Sequence, residues 1–271
     1  MPAAEAARIH PTAVISPGAE LADDVLVGPY TIIEGKVRLG PGCVLRSHVH
    51  LIGPLTMGRH NLVFTGAVLG ERPQHVKYND EPTSTEIGDC NIFREHVTVH
   101  RGTTHSWRTH IGSHNFFMVN SHVAHDCEVG NHCILANGAL LGGHCTIADS
   151  VYLAGNCAVH QYVRIGRLAF LSGVSATTKD MPPFIMQQNI NGVVGVNVVG
   201  MKRAGMSAAD IDAVRRAFHI LYREGHLVPA ALAKMEQELG GNPAVAEMIA
   251  FIRQSTRGIV VKLARGYADA A

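Results

Sequence analysis

Histidines recur along this chain at spacings that no helix or hairpin explains: His122, His125, His144 and His160, with Asp126 following His125 and Gln161 following His160. Imidazole changes charge near neutral pH, and a carboxylate beside it fixes its tautomer and raises its basicity. His125 and Asp126 are therefore a candidate general base and its orienting partner, although neighbours on a strand face opposite ways, so their contact requires a bend. His122, His125 and His144 also supply three nitrogens, enough for a catalytic zinc with an open position. On extended backbone the three-residue spacing puts His122 and His125 on different sides of a turn, and Asp126 is the only evident supporting carboxylate. Acid–base chemistry ranks first and no metal is assigned; metal analysis of purified protein separates the two readings.

A repeat of six brings these residues together. Bulky side chains recur at Ile9, Ile15, Leu21, Val27, Ile33, Leu39, Leu45, Leu51, Met57, Val63 and Leu69, and in the same phase from Ile111 to Leu171. A period of six matches neither helix nor strand alternation, but suits triangular coils of three short strands, 18 residues a turn. Two positions before each bulky residue lies a second inward site, usually small. Cys43, Cys127, Cys133, Cys145 and Cys157 occupy it as compact core filler, leaving only Cys90 out of phase. The cysteines therefore argue against disulfides and zinc clusters and for a reducing compartment. With about 4.8 Å between layers, His125, Gly143 and Gln161 form one column; His144 lies one residue beyond it, His160 one before and His122 three before. One corner collects them all.

The chain is 46% hydrophobic and 17% charged with net charge +1, and holds one Trp and six Tyr, so no basic, aromatic-studded face for nucleic acid is expected. Met1 to Ala7 lacks the pattern of a signal peptide, and the apolar stretch Val193 to Val199 is glycine-broken and too short to span a bilayer, so a cytoplasmic protein without membrane insertion is expected. Two polar excursions, 71–85 and 101–110, interrupt the hexads while Ile87, Phe93 and Val99 keep their phase. These read as inserted loops of a binding face, the first carrying Arg72, His75 and Lys77, groups suited to phosphate or sugar hydroxyls. The hexads stop near Lys179, and Met181-Pro182-Pro183 marks a boundary. Beyond it, helical faces follow a Ser207/Asp210 capping box, Pro229, and Asn242-Pro243. The expected division is a β-helix unit, 1–190, and a helical unit, 191–271, whose exposed Arg215, Arg216 and Arg223 are a solvated face or a surface for an acidic partner.

The motifs Ile9-His10-Pro11-Thr12, Gly70-Glu71, Lys77-Tyr78, Glu81-Pro82-Thr83, His100-Arg101-Gly102-Thr103, His122 through Cys127, His160-Gln161, Gly195-Val196-Asn197 and Ser255-Thr256-Arg257-Gly258 span nearly the whole chain. Through them it resembles the UDP-N-acetylglucosamine 3-O-acyltransferase family of lipid A synthesis. The resemblance implies a mainly β fold, a left-handed parallel β-helix with a carboxyl-terminal α-helical domain, assembled as a homotrimer with active sites between subunits. Handedness rests on the resemblance alone, since crossovers are normally right-handed. It implies no cofactor, a 3-hydroxyacyl donor on acyl carrier protein, and UDP-N-acetylglucosamine as acceptor.

Under this resemblance His125 takes the sugar hydroxyl proton, Asp126 orients its ring, and the Gly143 N–H meets the tetrahedral oxyanion during direct attack on the thioester. His122, His144, His160 and Gln161 line the sugar and pantetheine region, with His75 and Lys77 from the first loop. Asn197 and Arg203 hold the nucleotide and its phosphates. Gly173 matches the position limiting chain length and, lacking a side chain, implies a long 3-hydroxyacyl preference. Two departures stand out: His75 occurs where the family usually has Asp, and Val199 where it usually has Glu. Val199 cannot accept a hydrogen bond, which leaves open a 3-amino analogue of the sugar and an amide product. The related N-acyltransferase family carries a separate domain before its hexads, whereas here they begin at Ile9. A non-catalytic hexapeptide scaffold would need neither the histidine corner nor the basic loop.

Overall fold

The computed structural model describes residues 8–264; the Met1–Ala7 segment read for a leader lies outside them. Among the described residues, short strands stack into nine-, eight- and eleven-stranded faces of a triangular coil. Register follows the hexads, with Val14 opposite Ile32 and His122 opposite Leu140. The inward residues pack to a dry core: Ile33, Leu51, Leu69, Phe93 and Phe117 are fully buried, and the two phenylalanine rings stack at 4.8 Å. Burying such side chains is worth about 1.5–3 kcal/mol each. The second inward site takes the five in-phase cysteines, all free and buried. At three successive coils that column instead holds buried Asn61, Asn91 and Asn115. Asn61 accepts from Asn91, Asn91 accepts from the Asn115 N–H, and their amides donate to glycine carbonyls, so this polar ladder is satisfied within the core.

Up to Leu171 the coils repeat every 18 residues except twice, where the spacing becomes 30 and then 24. Both insertions leave the nine-stranded face and return to the eight-stranded one: one runs from Val68–Glu71 to Ser84–Ile87, the other from Thr98–His100 to Arg108–Ile111. The sequence bounds of 71–85 and 101–110 thus include strand residues at their ends. Both loops leave the same corner, the first two coils and the second one coil before His125.

The eleven-stranded face does not stop at the Met181-Pro182-Pro183 boundary. Ile185–Gln188 pairs parallel with Phe170–Leu171, and Gly192–Val196 returns antiparallel. Four helices follow: α1 (Val198–Arg203), α2 (Ala208–Tyr222), α3 (Val228–Leu239) and α4 (Pro243–Arg253). Ser207 caps α2, accepting from the Asp210 N–H, and Asn242 caps α4. Buried Val214, Phe218, Met235, Val245 and Met248 join the helices. The six-residue α1 is too short to carry a readable period. Arg167 pairs with Glu247 at 2.7 Å and Arg164 lies over the Phe251 ring, tying the helices to the coils. No helix among the described residues is long and apolar enough to cross a membrane.

Candidate active site

At the corner between the nine- and eight-stranded faces the chain turns through Asp126 at φ +60°, a left-handed conformation that Asp tolerates better than most residues. The bend allows the contact that straight strand geometry forbids: His125 Nδ1 lies 2.7 Å from Asp126 Oδ2. The second insertion completes the carboxylate's shell. Thr103 donates its N–H (2.9 Å) and hydroxyl (2.8 Å), and Ser106 donates its N–H (3.2 Å) and hydroxyl. Gly102 permits this approach, since a Cβ there would lie 2.4 Å from the Arg108 nitrogen. Burial alone would raise the Asp126 pKa, but the bonds from His125, Ser106 and Thr103 outweigh it and hold the carboxyl well below its ordinary value. An ionised carboxylate only accepts, so the His125 proton resides on Nδ1 and Nε2 presents a lone pair.

That lone pair faces Gly143, where a Cβ would come within 2.8 Å of Nε2. The Gly143 N–H has no hydrogen-bond partner among the described residues. His144 packs edge-on to His125 at 5.0 Å and stacks on Tyr162 at 4.3 Å. From the insertions, His75 reaches the His125 ring at 5.3 Å and His105 reaches His144 at 4.6 Å. Burial lowers the His144 pKa, against the attraction of Asp126. On the strand leading into His125, His122 reaches to the preceding coil, where it hydrogen-bonds Thr98 at 2.7 Å and meets His100 edge-on at 4.8 Å. Burial, reinforced by His122, lowers His100 to about 4, and burial lowers His122 as well.

The His122, His125 and His144 trio weighed as an alternative zinc site is not the set that converges. His122 is engaged with Thr98 and His100; the ligand atoms within 4.8 Å of one another belong to His105, Asp126 and His144, and that carboxylate is already filled by donors. His160 and Gln161 are exposed at the same corner two coils on, where Arg257 donates to the Gln161 carbonyl. Gly173 is exposed at the corner between the eleven- and nine-stranded faces. Asn197 is committed to structure, accepting from Gly200 to cap α1 and donating to the Leu168 carbonyl. Lys77 and Arg203 are exposed and make no side-chain hydrogen bond or ion pair among the described residues. Sequence reasoning missed Thr103, His105, Ser106 and Tyr162. The 18-residue column could have found Tyr162, which lies 18 beyond His144; Thr103, His105 and Ser106 lie in an insertion that no period places.

Residues 108–143 match the bacterial transferase hexapeptide family, and residues 180–260 match domain 2 of the UDP-N-acetylglucosamine O-acyltransferase family. Among solved structures, UDP-N-acetylglucosamine O-acyltransferase from Moraxella catarrhalis is 38% identical with a TM-score of 0.90, the match covering 94% of this chain and 100% of that one. LpxA from Acinetobacter baumannii is 40% identical with a TM-score of 0.91 over 94% and 100% of the two chains. The UDP-N-acetylglucosamine acyltransferase of Bacteroides fragilis is 34% identical with a TM-score of 0.90 over 93% and 99%. The coil of three parallel faces is thus the left-handed β-helix of these proteins, followed by the same helical region. With similarity running through both the histidine corner and the helices, the chain belongs to the UDP-N-acetylglucosamine O-acyltransferase family, and it is an acyltransferase.

Proposed function

We propose that the protein transfers a 3-hydroxyacyl chain from acyl carrier protein to the 3-hydroxyl of UDP-N-acetylglucosamine, the first step of lipid A synthesis, in the cytoplasm. One observation carries the reading: a buried His125–Asp126 pair aims a basic Nε2 at a position beside the unpartnered Gly143 N–H. His125 removes the sugar hydroxyl proton as the oxygen attacks the thioester carbonyl. The Gly143 N–H stabilises the resulting oxyanion, typically by about 3 kcal/mol. Collapse expels the pantetheine thiolate, which takes the proton back from His125. No covalent relay is needed, and the thiols are unsuited to one: burial pushes Cys133 and Cys157 up to about 12.

His122, His144, His160 and Gln161 are assigned to the sugar and pantetheine region, His75 and Lys77 to the acceptor, Asn197 and Arg203 to the nucleotide, and Gly173 to the end of the acyl groove. The outer faces support a homotrimer. Leu62, Ile92, Phe116, Ile134, Tyr152 and Phe170 form one outward apolar column on the eleven-stranded face. The eight-stranded face presents Glu20, Arg38, Glu86, His110, Glu128 and Arg164 outward. A continuous apolar stripe calls for cover, which closed symmetry supplies from a second copy.

The test is a mass spectrum of products formed from UDP-N-acetylglucosamine, or its 3-amino analogue, with 3-hydroxyacyl carrier proteins of 10, 12 and 14 carbons. The reading expects the 14-carbon ester to dominate. A preference for the amine would move the acceptor assignment, a clear win for 10 carbons would refute the open groove at Gly173, and no acyl transfer to either sugar would refute the function.

A further inference from the structure

The Ser255-Thr256-Arg257-Gly258 motif lies far from the histidines in sequence, yet it ends at their corner. The backbone there is pinned from both sides: Lys179 Nζ donates to the Arg257 carbonyl at 2.7 Å, and the Asp180 N–H donates to the Gly258 carbonyl at 3.0 Å. Gly258, at φ +79°, makes the turn that follows. From this anchor the half-buried Arg257 side chain reaches back 96 and 97 residues: Nη1 donates to the Gln161 carbonyl, and Nη2 lies 3.4 Å from His160 Nδ1. Its Nε is buried without a partner.

His160 Nδ1 is thereby caught between two incompatible neighbours. The Gln161 carbonyl, 3.1 Å away, accepts and calls for a proton on Nδ1. The guanidinium has five donors and no acceptor, so it calls for a bare Nδ1. Bonds from an ionised donor are roughly twice as strong as neutral ones, and the carbonyl already receives Nη1. We propose that Arg257 is a positioning residue that sets the tautomer of His160, keeping Nδ1 bare and the proton on Nε2. His160 then offers the substrate a donor rather than an acceptor. Without Arg257, the freed carbonyl draws the proton to Nδ1 and reverses the polarity of Nε2.

The inference rests on the proposed function for the substrate that His160 meets, but the tautomer is read without any substrate. Histidine side-chain nitrogen NMR spectra of the full-length protein, with His160→Gln to assign the signal, should show the Nε2–H form in the unsubstituted protein and the Nδ1–H form in Arg257→Ala. Arg257→Lys, which keeps a charged donor and guards against a folding defect in the alanine variant, should restore Nε2–H. Transfer assays should show KM raised about tenfold in Arg257→Ala with kcat within about twofold, the pattern of a lost binding contact. An Nδ1–H form in the unsubstituted protein, or an unchanged tautomer in Arg257→Ala, overturns the proposal. If the unsubstituted protein transfers no acyl group, the functional reading fails while the tautomer result still decides the role of Arg257.

Discussion

Two corners of the same coil use one backbone device and reach different ends. Between the eight- and eleven-stranded faces, His114 and His132 turn the chain at φ +61° and +57°, and their rings stack at 4.9 Å. Between the nine- and eight-stranded faces, His144 and Tyr162 do the same at +62° and +65° and stack at 4.3 Å. The first pair is exposed, and its neighbouring carboxylate Asp149, also exposed, accepts from Asn131. In the second, Tyr162 stays exposed but His144 is half-buried beneath His105 of the second insertion, and the carboxylate, Asp126, has no exposed side-chain surface. The coil sets the spacing; the insertions supply the donors and exclude water, which makes each charge interaction stronger.

If that contrast holds, the largest difference comes from replacing the two carboxylates in turn. Asp126→Asn should cut turnover by about 10²- to 10⁴-fold, because the amide no longer holds the His125 proton on Nδ1. It should also cost about 1–3 kcal/mol in a denaturant titration, as four further donors lose an ionised acceptor. Asp149→Asn should change neither.

Acidification is the next lever. His100 titrates at about 4 in the fold against 6.5 ordinarily, so below 6.5 the unfolded chain binds the proton more readily. The contribution is fully present above 6.5 and is lost as pH falls toward 4. Each pH unit between them is worth about 1.36 kcal/mol, giving on the order of 3 kcal/mol in all. His122 and His144, also lowered, act in the same direction. Denaturant midpoints from pH 7 to 4 should fall, and the fall should be shallower in His100→Gln; equal slopes would remove His100 from the account.

Gly143→Ala tests the packing of the roofed corner, since its Cβ would lie 2.7 Å from His125 Cε1. Displacing the imidazole by about 1 Å should cost about 10²-fold in turnover, whereas unchanged kinetics would show that the ring has room to move. The smallest effect belongs to the open corner: His132→Ala should leave turnover unchanged and stability within about 0.5 kcal/mol, measured by the same assays.

The coils were legible in the sequence because each turn repeats one physical requirement, a bulky residue inward every six positions. The column arithmetic that followed placed His125, Asp126, Gly143 and His144 together. The partners of Asp126 were not legible, because Thr103 and Ser106 reach it through a loop whose path depends on Gly102 and on no period. The asparagine ladder escaped notice because a small inward site was read by size, while Asn61, Asn91 and Asn115 satisfy one another only when stacked. The hairpin after Pro183 and the short α1 carry too few residues for any periodicity.

The most direct test of the account is the transfer rate of His125→Ala beside the unsubstituted protein, with UDP-N-acetylglucosamine and a 14-carbon 3-hydroxyacyl carrier protein, product counted by mass. The account predicts a loss of about 10²- to 10⁴-fold in a protein that melts normally. Transfer within a few-fold of the unsubstituted protein would contradict it.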